Sequence, residues 1–312
     1  MRMRWSALSP DARRIVLGLA GAAAVVGVTV GLEIADPPPT GAGLAPLGPR
    51  LAPAERLGVA SLAALDAAFA RLGYDFDAVR SGEAAVPRIM VLRLPEDLAG
   101  QAALAERKRL FLKSVLPLVL RVNETIRAQR ATLEALLRRR EAGERLGRRE
   151  RAWLAAIAAH YRAAPDDAAA LRSRVRPIPA SLALAQAAAE SGWGGSRFAR
   201  MGNALYGQWT WSEKAGLAPL RRAAGETHRV KAYPRLLDSV WDYARNLNTN
   251  PAYRAFRSLR ARLAADGTPA GMMLAATLGA YSQKGMEYVG LIRDVIRQNR
   301  LARLDAARLS RR

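Results

Sequence analysis

The sequence predicts a mainly α-helical protein with one small β-lobe. Three observations carry that prediction. Apolar residues recur at helical spacing through most of the chain. One stretch, residues 202–235, is instead aromatic, glycine-bearing and without that spacing. Helical text then resumes at LLDSVWDYARNLN. The expected architecture is a helical core with a cleft-forming insertion.

The chain starts with a membrane signal. Arg2, Arg4, Arg13 and Arg14 precede the uncharged run IVLGLAGAAAVVGVTVGL, residues 15–32. Its length lies at the lower edge of a bilayer-spanning helix. Basic residues before it favour a cytoplasmic N-terminus. Residues 1–35 are therefore expected to form a cytoplasmic tip and an uncleaved signal-anchor in a bacterial inner membrane. A cleaved signal peptide is the competing reading, although its best site would put Glu33 at the −3 position of Glu33-Ile34-Ala35. The anchor would hold the remaining chain in the periplasm, and a cleaved signal would export it. DPPPTGAGLAPLGP (36–49) reads as a Pro/Gly linker, extending to residue 54.

Residues 55–174 read as a helical N-terminal region. Short helical pieces fill 55–82, and VPRIMVLRLPEDL (86–98) is strand-like but cut by Pro87 and Pro95. Over 105–140, Leu110, Val115, Leu118, Val122 and Ile126 share one side of a long helix, which Pro117 is expected to kink or divide. RRERAWLAAIAAHYRAA (148–164) is a further amphipathic helix.

Residues 175–312 read as the functional domain. Pro179 suits a first helical turn and Gly192 a helix end. The β-lobe has room for a hairpin around GETHRVKAY. In the helix after it, Val240, Tyr243 and Leu247 share a face. Asn250-Pro251 is a cap-plus-proline start for the next helix. Thr268-Pro269 opens another, which Gly285 is expected to close.

Composition narrows the chemistry. The chain has no cysteine and only two histidines, His160 and His228, so thiol catalysis, disulfides and histidine-rich zinc sites have no residues to build them. Nothing signals a metal or an organic cofactor. The formal charge of +22 implies attraction to a polyanion, or an arginine-rich solvated surface. A nucleic-acid partner is not expected: charge alone supports it, no helix-turn-helix or stacking motif is present, and the chain is exported.

One acidic residue stands out. In SLALAQAAAESGWGGSRFA, Glu190 sits in the last turn of an alanine-rich helix, with Ala187, Gln186 and Ala183 on its face. The negative end of the helix dipole disfavours a carboxylate there. Packing against alanines and Trp193 would remove water and raise its pKa. A carboxyl kept protonated near neutral pH can protonate a glycosidic oxygen. Trp193, Tyr206, Trp209 and Trp211 offer flat faces for sugar rings. The plainer alternative is a solvated helix-end glutamate among core aromatics.

The string SLALAQAAAESGWGGSRFARMGNALYGQWTW resembles the glucosaminidase domains of glycoside hydrolase family 73, and among them the Bax-type proteins. HRVKAYPRLLDSVWDYARNLNTNPAYRAFRSLRARL and LGAYSQKGMEYVGLIRDVIRQN continue the likeness, which covers roughly residues 86–305. The resemblance implies a lysozyme-like fold in 175–312 and hydrolysis of peptidoglycan glycan strands on the reducing side of N-acetylglucosamine. By position it puts the general acid on Glu190, and substrate contacts on Asn203, Tyr206, Gly207 and Tyr253. Some members carry a second acid in the β-lobe, where Glu226 lies in this chain. Asp238 reads as a helix cap and Asp242 as a surface position. The substrate's own 2-acetamido group is an alternative to a second carboxylate. A muramidase, a lytic transglycosylase and a non-catalytic wall-binding scaffold are the competing functions.

Overall fold

A computed structural model describes residues 44–49, 55–58, 60–99, 103–212, 215–218, 229–265 and 271–311. The membrane signal at 15–32, most of the linker, Glu226 and the Thr268-Pro269 start lie outside the described residues. Among the described residues no helix is long and apolar enough to cross a membrane.

The architecture is mainly helical with two small sheets. It begins with β1 (Glu55–Leu57), α1 (Leu62–Arg71), α2 (Phe76–Ser81) and β2 (Ile89–Val91). β1 and β2 pair in parallel, with Arg56 opposite Met90. The strand-like reading of 86–98 thus survives as three residues. β1, which falls in the stretch expected to be helical, was too short to show a period of its own.

The long α3 (Leu104–Glu141) is the axis of the molecule. It runs unbroken through Pro117, so the proline does not divide it. Pro117 is buried, as are its neighbours Val115, Leu116, Leu118 and Val119, and packing outweighs the lost backbone bond. α4 (Arg148–His160) and α5 (Ala168–Arg174) follow, and then α6 (Ala180–Ser191), which carries Glu190. α6 packs between α3, the C-terminal helix and the final 3-10 turn (Leu301–Ala306). Ten of its residues are buried, which suits an alanine-rich sequence that lets neighbours approach closely.

Next come α7 (Arg197–Gly202) and an antiparallel sheet of β3 (Trp209–Thr210), β4 (Gly216–Leu217) and β5 (Arg229–Lys231), with β5 in the middle. This is the predicted β-lobe. α8 (Leu236–Thr249) returns to the core and packs on α3, with Val240, Tyr243 and Leu247 all buried. Asn250 caps the turn Pro251–Tyr253 as expected, its Oδ1 accepting from the amide of Ala252 at 3.0 Å, and α9 (Arg254–Ala265) follows. The segment before Gly285 is not one helix. It is the short α10 (Gly271–Leu274) and two 3-10 turns, Ala275–Thr277 and Gly279–Tyr281. Gly285 opens the next helix, α11 (Met286–Gln298), instead of closing the previous one, and its φ of +51° is what reverses the chain there.

Helices before and after Val175 share one hydrophobic core. It extends from Ala45 through Phe69, Leu116 and Ile157 to Leu184, Tyr243 and Leu304. The C-terminus closes on the N-terminal region, since the amides of Val86 and Ser310 donate to the carbonyls of Arg308 and Val86, each at 2.8 Å.

A few arginines are turned inward. Arg260 donates to the carbonyls of Ser173, Arg176 and Pro177, Arg257 to those of Leu247 and Asn250, and Arg130 to those of Arg172 and Val175. These guanidinium groups satisfy helix-end carbonyls that would otherwise be orphaned.

Candidate active site

Local sequence places Glu190. Pro179 precedes the helix, and Gly192 ends it in the left-handed conformation at φ +58°. At the start of α6, Asp305 accepts from the amide and hydroxyl of Ser181 at 2.7 and 2.8 Å. A residue of the C-terminal turn thus does the capping that Pro179 cannot. Beyond the helix, Gly192, Trp193 and Gly194 all have positive φ, at +58°, +58° and +77°. A tryptophan in that region is strained, and its surroundings hold it. Its indole meets Phe111 edge-on at 5.9 Å, with Lys108 Nζ 4.8 Å from the ring centre. A Cβ on Gly194 would lie 2.6 Å from Leu98 and 2.7 Å from Leu94, so only glycine lets the turn sit on the N-terminal region.

Trp193 therefore offers no open face to a sugar; it is 5% exposed and serves as the bolt between the α6 turn and α3. What encloses the carboxyl of Glu190 is a group of tyrosines. The Tyr288 hydroxyl donates to its Oε1 at 2.8 Å. Tyr281 stacks on Tyr288 at 5.5 Å and donates to the carbonyl of Tyr206 at 3.1 Å. Tyr206 stacks on Tyr243 at 3.9 Å, and Tyr253 lies 6.0 Å from Tyr281. Part of Glu190 stays open to solvent while its carboxyl is enclosed. That burial pushes the carboxyl up to about 7 from an ordinary 4.5, against the smaller opposing pull of the Tyr288 hydroxyl. The raised value expected from the sequence is present, with tyrosines as its walls.

Gly207 borders the other oxygen. A Cβ there would lie 3.2 Å from Glu190 Oε2, and the backbone sits at φ +61°. The chain is thereby bare beside Oε2.

Of the residues singled out in the sequence, the structure brings Glu190, Tyr206, Gly207 and Tyr253 together. It sets Asn203 apart as a tie. Asn203 is 1% exposed, ends α7 at φ +51°, and donates from Nδ2 to the carbonyls of Tyr233 and Pro234 at 2.9 and 3.2 Å. Tyr206 is likewise buried, so its ring is a wall and not a platform. Trp209 is partly exposed on β3, and Trp211 just beyond it is 49% exposed.

The two acids set aside in the sequence change roles. Asp238 does not cap; Arg235 holds that position, and Asp238 pairs with its guanidinium at 2.6 Å from the first turn of α8. Asp242 is no solvated surface residue. Its Oδ2 takes Lys231 Nζ at 2.6 Å and the Tyr233 hydroxyl at 2.8 Å, and that hydroxyl lies 2.6 Å from Gln208 Oε1. This cluster fastens β5 to α8 beside Gly207.

Sequence reading missed Gln186, Tyr281 and Tyr288 as site residues. Gln186 was visible as the i−4 neighbour of Glu190, whereas nothing local in LGAYSQKGMEYVGL connects its tyrosines to a residue 98 positions earlier.

Comparison with known proteins agrees with this picture. The family model described as "Glucosaminidase: Mannosyl-glycoprotein endo-beta-N-acetylglucosaminidase" matches residues 166–301, which include the whole of the site. The chain is 35% identical over 191 residues to Protein bax of Escherichia coli (strain K12), across 58% of this chain and 66% of that protein. The match thus spans just under two thirds of the relative's length. No solved structure matches the chain. The chain belongs to the Bax-type proteins that carry a glucosaminidase domain.

Proposed function

We propose that this protein is a peptidoglycan hydrolase, an endo-β-N-acetylglucosaminidase. It cleaves the β-1,4 bond between N-acetylglucosamine and N-acetylmuramic acid on a lysozyme-like scaffold, held to the inner membrane by residues 15–32 and acting in the periplasm. The observation that carries the reading is Glu190, a carboxyl held at about 7 by enclosure, whose Oε2 faces the bare backbone of Gly207. Such a group is protonated for a useful fraction of the time near neutral pH and can hand its proton to the leaving oxygen. The absence of a side chain at Gly207 gives a sugar room beside that proton. Trp209 and Trp211, which keep exposed ring surface, are the proposed ring contacts, and Tyr253, buried like Tyr206, is a wall of the site.

Completing the reaction requires either a base that activates water or the substrate's own acetamido oxygen. Asp242 is already engaged by Lys231 and Tyr233, which leaves Glu226 as the proposed carboxylate.

The test is clearing of purified peptidoglycan by the whole chain, with Glu190→Gln as partner. Clearing by the wild type and its loss in the variant support the reading; full activity in the variant moves the acid elsewhere. Mass spectrometry of the products separates the relatives of this chemistry. Reducing N-acetylglucosamine ends support a glucosaminidase, anhydro-muramic ends a lytic transglycosylase, and binding without release a scaffold. Glu226→Gln decides between a carboxylate base and substrate assistance.

A further inference from the structure

Glu190 ends a chain of three hydrogen bonds, two of them fully buried. One turn earlier on α6, Gln186 is 0% exposed. Its Oε1 lies 2.7 Å from the Tyr243 hydroxyl on α8, and its Nε2 lies 2.9 Å from the Tyr288 hydroxyl on α11. Tyr288 in turn is 2.8 Å from Glu190 Oε1.

Counting hydrogens gives this chain a direction. A carboxamide has one end that donates and one that accepts, and each phenol has a single hydrogen. With Gln186 placed as described, Tyr243 donates to its oxygen and its nitrogen donates to the Tyr288 oxygen. The one hydrogen of Tyr288 must then go to Glu190 Oε1. Turning the amide over would send that hydrogen to Gln186 instead. Tyr288 could then only accept from Glu190, drawing the acid proton onto Oε1. The same turn would leave the hydrogen of Tyr243, which is 1% exposed, facing an NH2 group that cannot accept it. A buried hydrogen without an acceptor is unfavourable, so Tyr243 locks the orientation.

The two carboxyl oxygens are thereby made unequal. We propose that Gln186, oriented by Tyr243, is a positioning residue that keeps Glu190 Oε1 an acceptor and leaves the acid proton on Oε2, the oxygen beside Gly207. The inference rests on the reading of Glu190 as the general acid and adds to it which oxygen delivers. The other titratable groups whose shifts include Glu190 are also tyrosines: Tyr281 from the turn before α11, Tyr243 from α8 and Tyr253 from the turn after α8. Its own titration is governed by enclosure and the Tyr288 hydroxyl.

Two variants of the whole chain test it, Tyr243→Phe and Gln186→Met, each read by carbon NMR of carboxyl-labelled glutamate with Glu190→Gln assigning the signal. Tyr243→Phe frees the amide to turn. The donor that favours ionised Glu190 is then partly lost, and the Glu190 midpoint rises by about half a unit or more. On peptidoglycan fragments kcat falls roughly threefold to tenfold with KM unchanged, because binding is untouched and proton delivery is misdirected. A folded Tyr243→Phe chain whose Glu190 midpoint equals that of the wild type overturns the proposal. Gln186→Met, which removes the amide altogether, must also shift the midpoint; should it not fold, Tyr243→Phe alone decides. The titration needs no turnover. A wild type that releases no sugar therefore sinks the proposed function while the NMR comparison still judges the relay.

Discussion

With its carboxyl held near 7 instead of 4.5, Glu190 keeps a proton in the folded chain where the unfolded chain has already lost it. Below pH 4.5 both states are protonated and the group makes no difference to their balance. As pH rises through 4.5 towards 7 only the unfolded state releases its proton, so stability falls, and above 7 the loss is complete. Glu190→Gln removes that penalty. The variant should gain about 1–3 kcal/mol over the wild type at pH 8 and nothing at pH 4, measured by urea unfolding at both. A gain at neither pH would show that the carboxyl is not held in its protonated form. Trp193 gives the opposite kind of prediction. Its ring is packed on Phe111, so Trp193→Ala should lose roughly 3–5 kcal/mol of stability, where loss of a sugar platform would weaken glycan binding and leave unfolding unchanged. At this scale the sequence was informative about Glu190, whose position at a helix end and small neighbours are local facts. It misread Trp193, because an aromatic side chain looks the same in text whether it points into a cleft or a core.

Elements were legible where their signals lie within a few residues. Pro179, Gly192 and Asn250-Pro251 marked real boundaries because capping chemistry is local. Pro117 and Gly285 misled for a common reason: each is a helix breaker whose effect depends on what packs around it. Asp242 was the costliest misreading, since its partners Lys231 and Tyr233 come from another element. That cluster predicts a mobile β-lobe once it is cut. Asp242→Asn keeps the volume and removes the charge, and amide hydrogen exchange over Arg229–Lys231 should quicken about tenfold, equivalent to about 1.4 kcal/mol, while α3 is unchanged. A solvated surface aspartate would give no change. At the other end of the site, Asp305→Ala uncaps α6 and should lower whole-chain stability by about 1–2 kcal/mol in the same unfolding measurement.

At the scale of the molecule, the family segment of 166–301 and the folding unit do not coincide. α6 is covered on one side by α3, which the segment omits, and its first turn is capped by Asp305, which the segment also omits. The turn after Glu190 rests on Leu94, Leu98 and Phe111, all from the N-terminal region. The change of punctuation at Val175 is visible in text, while the core shared across it is not. Cutting the chain at residue 165 would expose the buried faces of α6 and α8 and strand Trp193 in a backbone conformation that only Phe111 and its neighbours sustain. Residues 166–312 alone should therefore show no cooperative thermal transition and should bind a hydrophobic dye, while the whole chain melts in one step. Adding residues 44–165 as a separate chain should restore the transition, since the missing surface is returned without a covalent link. If residues 166–312 instead melt cooperatively and clear peptidoglycan alone, the helices before Val175 are dispensable to the site, and the shared core described here is not what holds Glu190 in place.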